Sequence, residues 1–167
     1  MKVNILQLKN APGESLPFHI QDTMEKLNYD GQVIDFEGPV EVRGEVTNEK
    51  GRFILKGVAG AAIATGCVNC LELFHMRLEG KLDEVYVQSG GMSGDAAEAE
   101  PVFFDGDAIN IKPEVINSLL MEMPMRLVCS RDCRGLCPQC GSNLNVKQCN
   151  CEREHIDPRL AVLKKLK

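Results

Sequence analysis

No tryptophan occurs in this chain, and aromatic residues make up only 5% of it. A packed core must therefore rest on Val, Ile, Leu and Met, for which a hydrophobic content of 44% over 167 residues is sufficient. Long apolar runs are missing too. Nothing approaches the roughly 18 consecutive residues that a membrane-crossing helix requires. The opening stretch MKVNILQLKNAPGESLPFHI is interrupted at Asn4 and Gln7 and has no small-residue cleavage site, so a cytoplasmic protein is expected. The usual catalytic signatures are absent: no G-x-x-x-x-G-K-[ST] phosphate loop, no H-E-x-x-H and no G-x-S-x-G. With no catalytic residue indicated and no small-molecule substrate implied, an enzyme is not expected.

What the chain does have is cysteine: eight residues. In a reducing cytosol such a number points to metal or redox chemistry rather than to disulfides. Six of the eight fall in 23 residues, from Cys129 to Cys151. In Cys137-Pro138-Gln139-Cys140-Gly141 the two intervening residues let both thiolates face one ion at about 2.3 Å, and Gly141 allows the left-handed turn that follows. Cys149 and Cys151 come after a short loop and complete a tetrahedron. This set of four is the first candidate zinc site. Cys67, Cys70, Cys129 and Cys133 form a second, with an ion stapling a strand reversal to the tail. Four thiolates would equally hold an iron–sulfur cluster. A thioredoxin-like role for Cys67 and Cys70 needs a helix start at the thiol, and a strand pattern follows instead. His155, four residues past Cys151, could replace a thiolate. His75 reads as a surface residue, and His19 has no identifiable partner.

Fold class follows from periodicity. The reading is α+β: an antiparallel sheet, one that barrel closure would suit, with a C-terminal helix and a cysteine-rich, zinc-ribbon-like module. Residues 2–8 read as a first strand, while Phe18 to Leu27 fit neither period. Val40, Val42 and Val46 alternate with charged neighbours, Asn48 to Gly51 turn the chain, and 52–65 form the next strand, with bulges or close approaches at Gly57 and Gly60. After Cys67-Val68-Asn69-Cys70 the chain reverses into a long strand in which Phe74, Met76, Leu78 and Leu82 alternate with polar residues. Residues 89–101 are Gly, Ser, Ala and acid, a flexible loop by composition. Short extended pieces flank Asp105-Gly106-Asp107. A helix starts at Pro113 with Val115, Ile116, Leu119, Leu120 and Met123 on one face, and Pro124 stops it. Asp157 and Pro158 open a terminal helix with a Leu160, Leu163, Leu166 stripe. No internal repeat is visible. The organisation expected is a β domain over 1–88, the loop 89–101, a strand and helix packed on the sheet over 102–128, and a zinc module with its helix over 129–167.

Charge divides along the same lines. Residues 1–125 hold 10 Lys and Arg against 20 Asp and Glu, whereas 126–167 hold 9 against 4. The acidic front argues against wrapping nucleic acid, while Arg131, Arg134, Lys164 and Lys165 are candidates for local contact with phosphate or a partner. Each tetrathiolate zinc carries a formal charge of about −2, so two ions would nearly cancel the basic excess of the tail.

The tail CSRDCRGLCPQCGSNLNVKQCNCEREHIDPRLAVLKKL, with the Cys67 to Leu71 element before it, resembles the YceD family, bacterial and plastid proteins described as large ribosomal RNA subunit accumulation proteins. The likeness lies in Gly135-Leu136-Cys137-Pro138, Cys140-Gly141, Asn143-Leu144-Asn145 and Asp157-Pro158-Arg159-Leu160. It implies a ribosome-biogenesis factor supporting 23S rRNA maturation, with pre-ribosomal RNA or a large-subunit ribosomal protein as partner. The alternative from the residues alone is a zinc-ribbon adaptor, or a redox- or metal-responsive binding protein, unrelated to the ribosome.

Overall fold

A computed structural model describes residues 1–90 and 101–151. In chain order the elements are β1 (Lys2–Asn4), α1 (Leu6–Lys9), β2 (Ser15–Asp22), β3 (Leu27–Tyr29), β4 (Gln32–Phe36), β5 (Val40–Glu49), β6 (Arg52–Gly66), β7 (Leu73–Gln88), β8 (Val102–Phe104), β9 (Ala108–Asn110) and α2 (Lys112–Met121). The acidic segment 91–100 and the terminal helix read over 157–166 lie outside the described residues.

The meander β5–β6–β7 is the backbone of the fold, and its strict alternation explains it. Val40, Val42, Val46, Phe53, Leu55, Ile63, Leu78 and Leu82 all point to one face and are buried. Lys50 (φ 53) and Gly51 (φ 89) form the two-residue left-handed turn that matches the twist of a hairpin. Asn48 closes this corner. Its amide donates to Leu8 O at 2.6 Å and its Oδ1 accepts from Gly51 N–H at 2.9 Å, tying the N-terminal segment to the turn.

β6 pairs with β7 over its whole length, from Arg52↔Val87 to Gly66↔Leu73. On its other side β5 takes the first part and β4 pairs at Asp35↔Ala64 and Phe36↔Ile63. The path runs from β2 through β5 and β6 to β7 and β8, with β4 and β3 beside the far end of β6. The sheet therefore stays open rather than closing into a barrel. It is antiparallel except at β8, which pairs with β7 in parallel. The register is continuous through Gly57 and Gly60, so neither is a bulge. Gly57 is a close approach instead: a Cβ there would sit 2.6 Å from Arg43 O.

α2 covers the inner face with Val115 and Leu119. It crosses β7 at Gly80, where any Cβ would stand 2.6 Å from the Ser118 backbone. Residues 2–8 do not form one strand. β1 pairs with β9, after which Asn4 Oδ1 accepts from Leu6 N–H and one helical turn buries Leu8. Among the described residues, no helix is long and apolar enough to cross a membrane.

Two candidate metal centres

The eight cysteines are organised by one local structure used twice. Between β6 and β7, Cys67 N–H donates to Glu72 O at 2.9 Å and Leu71 N–H donates to Cys67 O at 2.9 Å. In the tail, Cys137 N–H donates to Ser142 O at 2.8 Å and Gly141 N–H to Cys137 O at 2.9 Å. Leu71 (φ 61) and Gly141 (φ 71) take the same left-handed conformation. The flanking pairs correspond as well, Gly66↔Leu73 in one and Leu136↔Asn143 in the other. The chain thus contains a short repeat that the sequence reading missed, because only the two cysteines of each copy are identical.

Each turn supplies half of a sulfur cluster. Cys67 and Cys70 meet Cys129 and Cys133, and Cys137 and Cys140 meet Cys149 and Cys151, with the four Sγ atoms of each set within 4.8 Å of one another. In the first set Cys67 Sγ lies 3.8 Å from Cys133 Sγ, and Cys70 Sγ lies 3.7 Å from Cys129 Sγ. A regular tetrahedron with arms of 2.3 Å has edges of about 3.8 Å. The spacing is that of four thiolates around one ion.

The segment after α2 is laid across the first turn by backbone and side-chain bonds. Val68 N–H donates to Leu127 O at 2.8 Å, Arg126 Nη2 to Asn69 Oδ1 at 3.2 Å and Leu136 N–H to Asn69 O at 3.1 Å. This is what delivers Cys129 and Cys133. Polar hydrogens then face the sulfurs. Cys129 N–H donates to Cys67 Sγ at 3.4 Å, and Asn145 Nδ2 donates to Cys133 Sγ at 3.4 Å. The sequence assigns Asn69 and Ser142 no role, and Asn145 only a place in the family likeness; the signal for Asn69 and Ser142 is their position inside or just beyond a C-x-x-C turn.

The electrostatics of each foursome are divided. Burial pushes the Cys67 thiol up, but N–H groups of Cys129, Cys70 and Asn69 outweigh it and hold it at about 6. The Ser142 hydroxyl and N–H hold Cys140 at about 6, and the N–H groups of Cys140 and Gln139 lower Cys137. Sharing a hydrogen bond with Cys133, together with burial, pushes Cys129 up to about 12. Cys140 and burial do the same to Cys151, also to about 12. Four thiols so close cannot all ionise without a cation between them. A dication would remove that conflict, and two sets of four soft sulfurs suit zinc or iron. Four thiolates leave no open position for water or substrate, so the chemistry of such a centre is structural.

Arg131, between Cys129 and Cys133 of the first set, and Arg134, on the segment joining the two sets, are both exposed. Lys164, Lys165 and His155 lie outside the described residues. His75 is exposed and pairs with Glu37 at 2.8 Å, and His19 is exposed on β2. No helix begins at Cys67; β7 follows it. A cleft of about 610 Å³ beside the second cluster is lined by Arg134, Leu144, Gln148 and Cys149.

Comparison with known proteins places this arrangement. An uncharacterised protein of Mycobacterium tuberculosis is 28% identical across 98% of this chain and 79% of its own length. The protein YlbN of Bacillus subtilis is 28% identical across 99% of this chain and 96% of its own. A chloroplastic large ribosomal RNA subunit accumulation protein, YCED homolog 1 of Arabidopsis thaliana, is 29% identical over 71% of this chain and 46% of its own. No solved structure matches the chain. The model of the large ribosomal RNA subunit accumulation protein YceD matches residues 55–167, from within β6 through all eight cysteines, and the chain belongs to the YceD family.

Proposed function

We propose that this protein is a non-catalytic ribosome-biogenesis factor that supports maturation and accumulation of 23S rRNA, with structural zinc in its tail. The observation that carries the reading is family membership over residues 55–167, together with the name of the Arabidopsis relative. Zinc at Cys137, Cys140, Cys149 and Cys151, and at Cys67, Cys70, Cys129 and Cys133, is supported by four sulfurs within 4.8 Å of one another in each set, and at the second of these sets also by two spacings, 3.8 and 3.7 Å, of tetrahedral-edge size. On this reading residues 129–167 are a zinc-ribbon-like module carried by the sheet, and the first ion fastens it there.

The direct partner is pre-ribosomal RNA or a basic large-subunit protein. Arg131 and Arg134 serve RNA, and the acidic residues of the sheet serve a basic protein. The test is capture of the tagged protein from growing cells. Recovery of large-subunit precursors above background supports the reading, and recovery of neither rRNA nor large-subunit protein sinks it. RNA contact adds a steep loss of binding with salt, made shallower by Arg131→Ala and Arg134→Ala.

One observation favours a second reading, a redox-responsive binding protein. Cys140 is exposed at the close of its C-x-x-C turn, so its sulfur is open to an oxidant whenever no ion holds it. Partner binding lost under mild oxidant and restored by thiol would select it.

A further inference from the structure

The two sulfur clusters are joined far more closely than separate staples need to be. Only Arg134, Gly135 and Leu136 stand between Cys133, the last ligand of the first set, and Cys137, the first of the second. Fully extended, that spacer reaches about 14 Å from Cα to Cα. It is not free. Gly135 (φ 69) presses onto the first turn so tightly that a Cβ would stand 3.0 Å from Asn69 O. Leu136 N–H donates to that same oxygen, and Leu144 N–H donates back to Gly135 O at 2.9 Å.

Asn145 completes the link. It belongs to the loop between Cys140 and Cys149, two members of the second set. Its Oδ1 accepts from Arg134 N–H at 2.8 Å and its backbone N–H donates to Asn143 Oδ1 at 3.0 Å. Its Nδ2 then points back to Cys133 Sγ of the first set at 3.4 Å. A residue from one cluster's loop therefore donates to a ligand of the other. Such donors to ligating sulfur stabilise the thiolate and fix its direction.

We infer that the two metal centres bind cooperatively, with Asn145 as the positioning residue that couples them. The inference rests on the zinc reading above and adds to it. Closing the second centre orders the 141–148 loop and sets Asn145 against Cys133, so the first centre tightens. Reciprocity requires the first centre to tighten the second by the same factor.

The test uses the full-length, fully reduced chain loaded with Cd²⁺ and titrated with a competing chelator. Cadmium NMR reads each tetrathiolate ion by its own resonance, assigned with the Cys67→Ser, Cys70→Ser and the Cys149→Ser, Cys151→Ser variants. Asn145→Ala, which leaves all eight thiols in place, should weaken the first centre by about 10- to 100-fold, the range seen when a residue behind a ligand is removed. Asn145→Asp keeps the size but loses the donor, and should do the same. The Cys149→Ser, Cys151→Ser variant should weaken the first centre to a similar degree, and adding Asn145→Ala to it should cause no further loss. A first centre unchanged within about twofold in both Asn145 variants overturns the coupling, as do losses that multiply in full. Two ions binding independently would remove the coupling and leave the zinc reading intact, whereas no ion at either set would remove both.

Discussion

Leu71 and Gly141 occupy the same place in two copies of one turn, and only one of them suits it. A left-handed conformation costs an L-residue with a side chain roughly 1–2 kcal/mol, and glycine nearly nothing. Leu71 is 71% exposed, so removing its side chain gives up little burial. Leu71→Gly should accordingly stabilise the protein by about 0.5–1 kcal/mol, after the added freedom of the unfolded chain is subtracted, and Gly141→Leu should destabilise it. Chemical denaturation of metal-loaded protein measures both. Unchanged stability in each variant would show that the turn is not strained. At Glu84, burial and the negative charges of Glu114 and Asp83 raise the carboxyl above its usual range. A raised acid contributes its stability below the unfolded pKa and loses it as pH rises through the folded one. Glu84→Gln should therefore raise the melting temperature at pH 7 and give no gain near pH 4. A larger gain at pH 4 would contradict the assignment. These environments were not legible in the sequence. Position 71 is an ordinary leucine until the turn is seen, and Glu84 is one acid among many until α2 lies over it.

Elements were legible where burial is one-sided and the strand long. β5, β6 and β7 alternate cleanly because one face meets the core and the other meets water. β2 is hard to see in the sequence although Leu16, Phe18 and Ile20 alternate, since each is only half-buried at a sheet edge and the polar Asp22 takes the next place in the period. β3 and β4 are too short to carry a period, and α1 is a single turn held by contacts with the 104–111 region, Ile5 N–H donating to Asp107 O at 2.9 Å. The grouping of the cysteines was legible from spacing, but the repeated turn was not, because backbone bonds rather than side chains define it. In the sequence Asn48 is a turn residue only. Buried and bonded to two separate segments, it holds the hairpin corner to the N-terminal helix. Asn48→Ala leaves Leu8 O and Gly51 N–H without these partners and should lower stability by about 2–3 kcal/mol, read as a shift in denaturation midpoint. A loss within about 0.5 kcal/mol would mean that water replaces both bonds.

At the scale of the molecule, the first sulfur set lies at the end of the longest hairpin, so an ion held there should matter to the sheet as well as to the tail. Chelation is expected to expose the amides of residues 126–149 to hydrogen exchange and to loosen the paired ends of β6 and β7 near Gly66 and Leu73, while the Arg52 end stays protected. Uniform loss of protection along β6 would show instead that the ions hold the whole fold. Acid should act in the same direction as chelator, because protons compete with the metal for thiolate; metal release rises as pH falls.

β1 carries a different consequence. Its three residues, Lys2 to Asn4, find their partners only at Ala108 to Asn110, on the far side of the whole meander. During synthesis β1 is therefore made long before its partner and is among the last elements of the described fold to be seated. Val3 must wait until more than a hundred residues have followed it, and until then its place beside Ile109 stands open. Removing the first four residues should consequently leave the early hairpins able to form but slow the last step of folding.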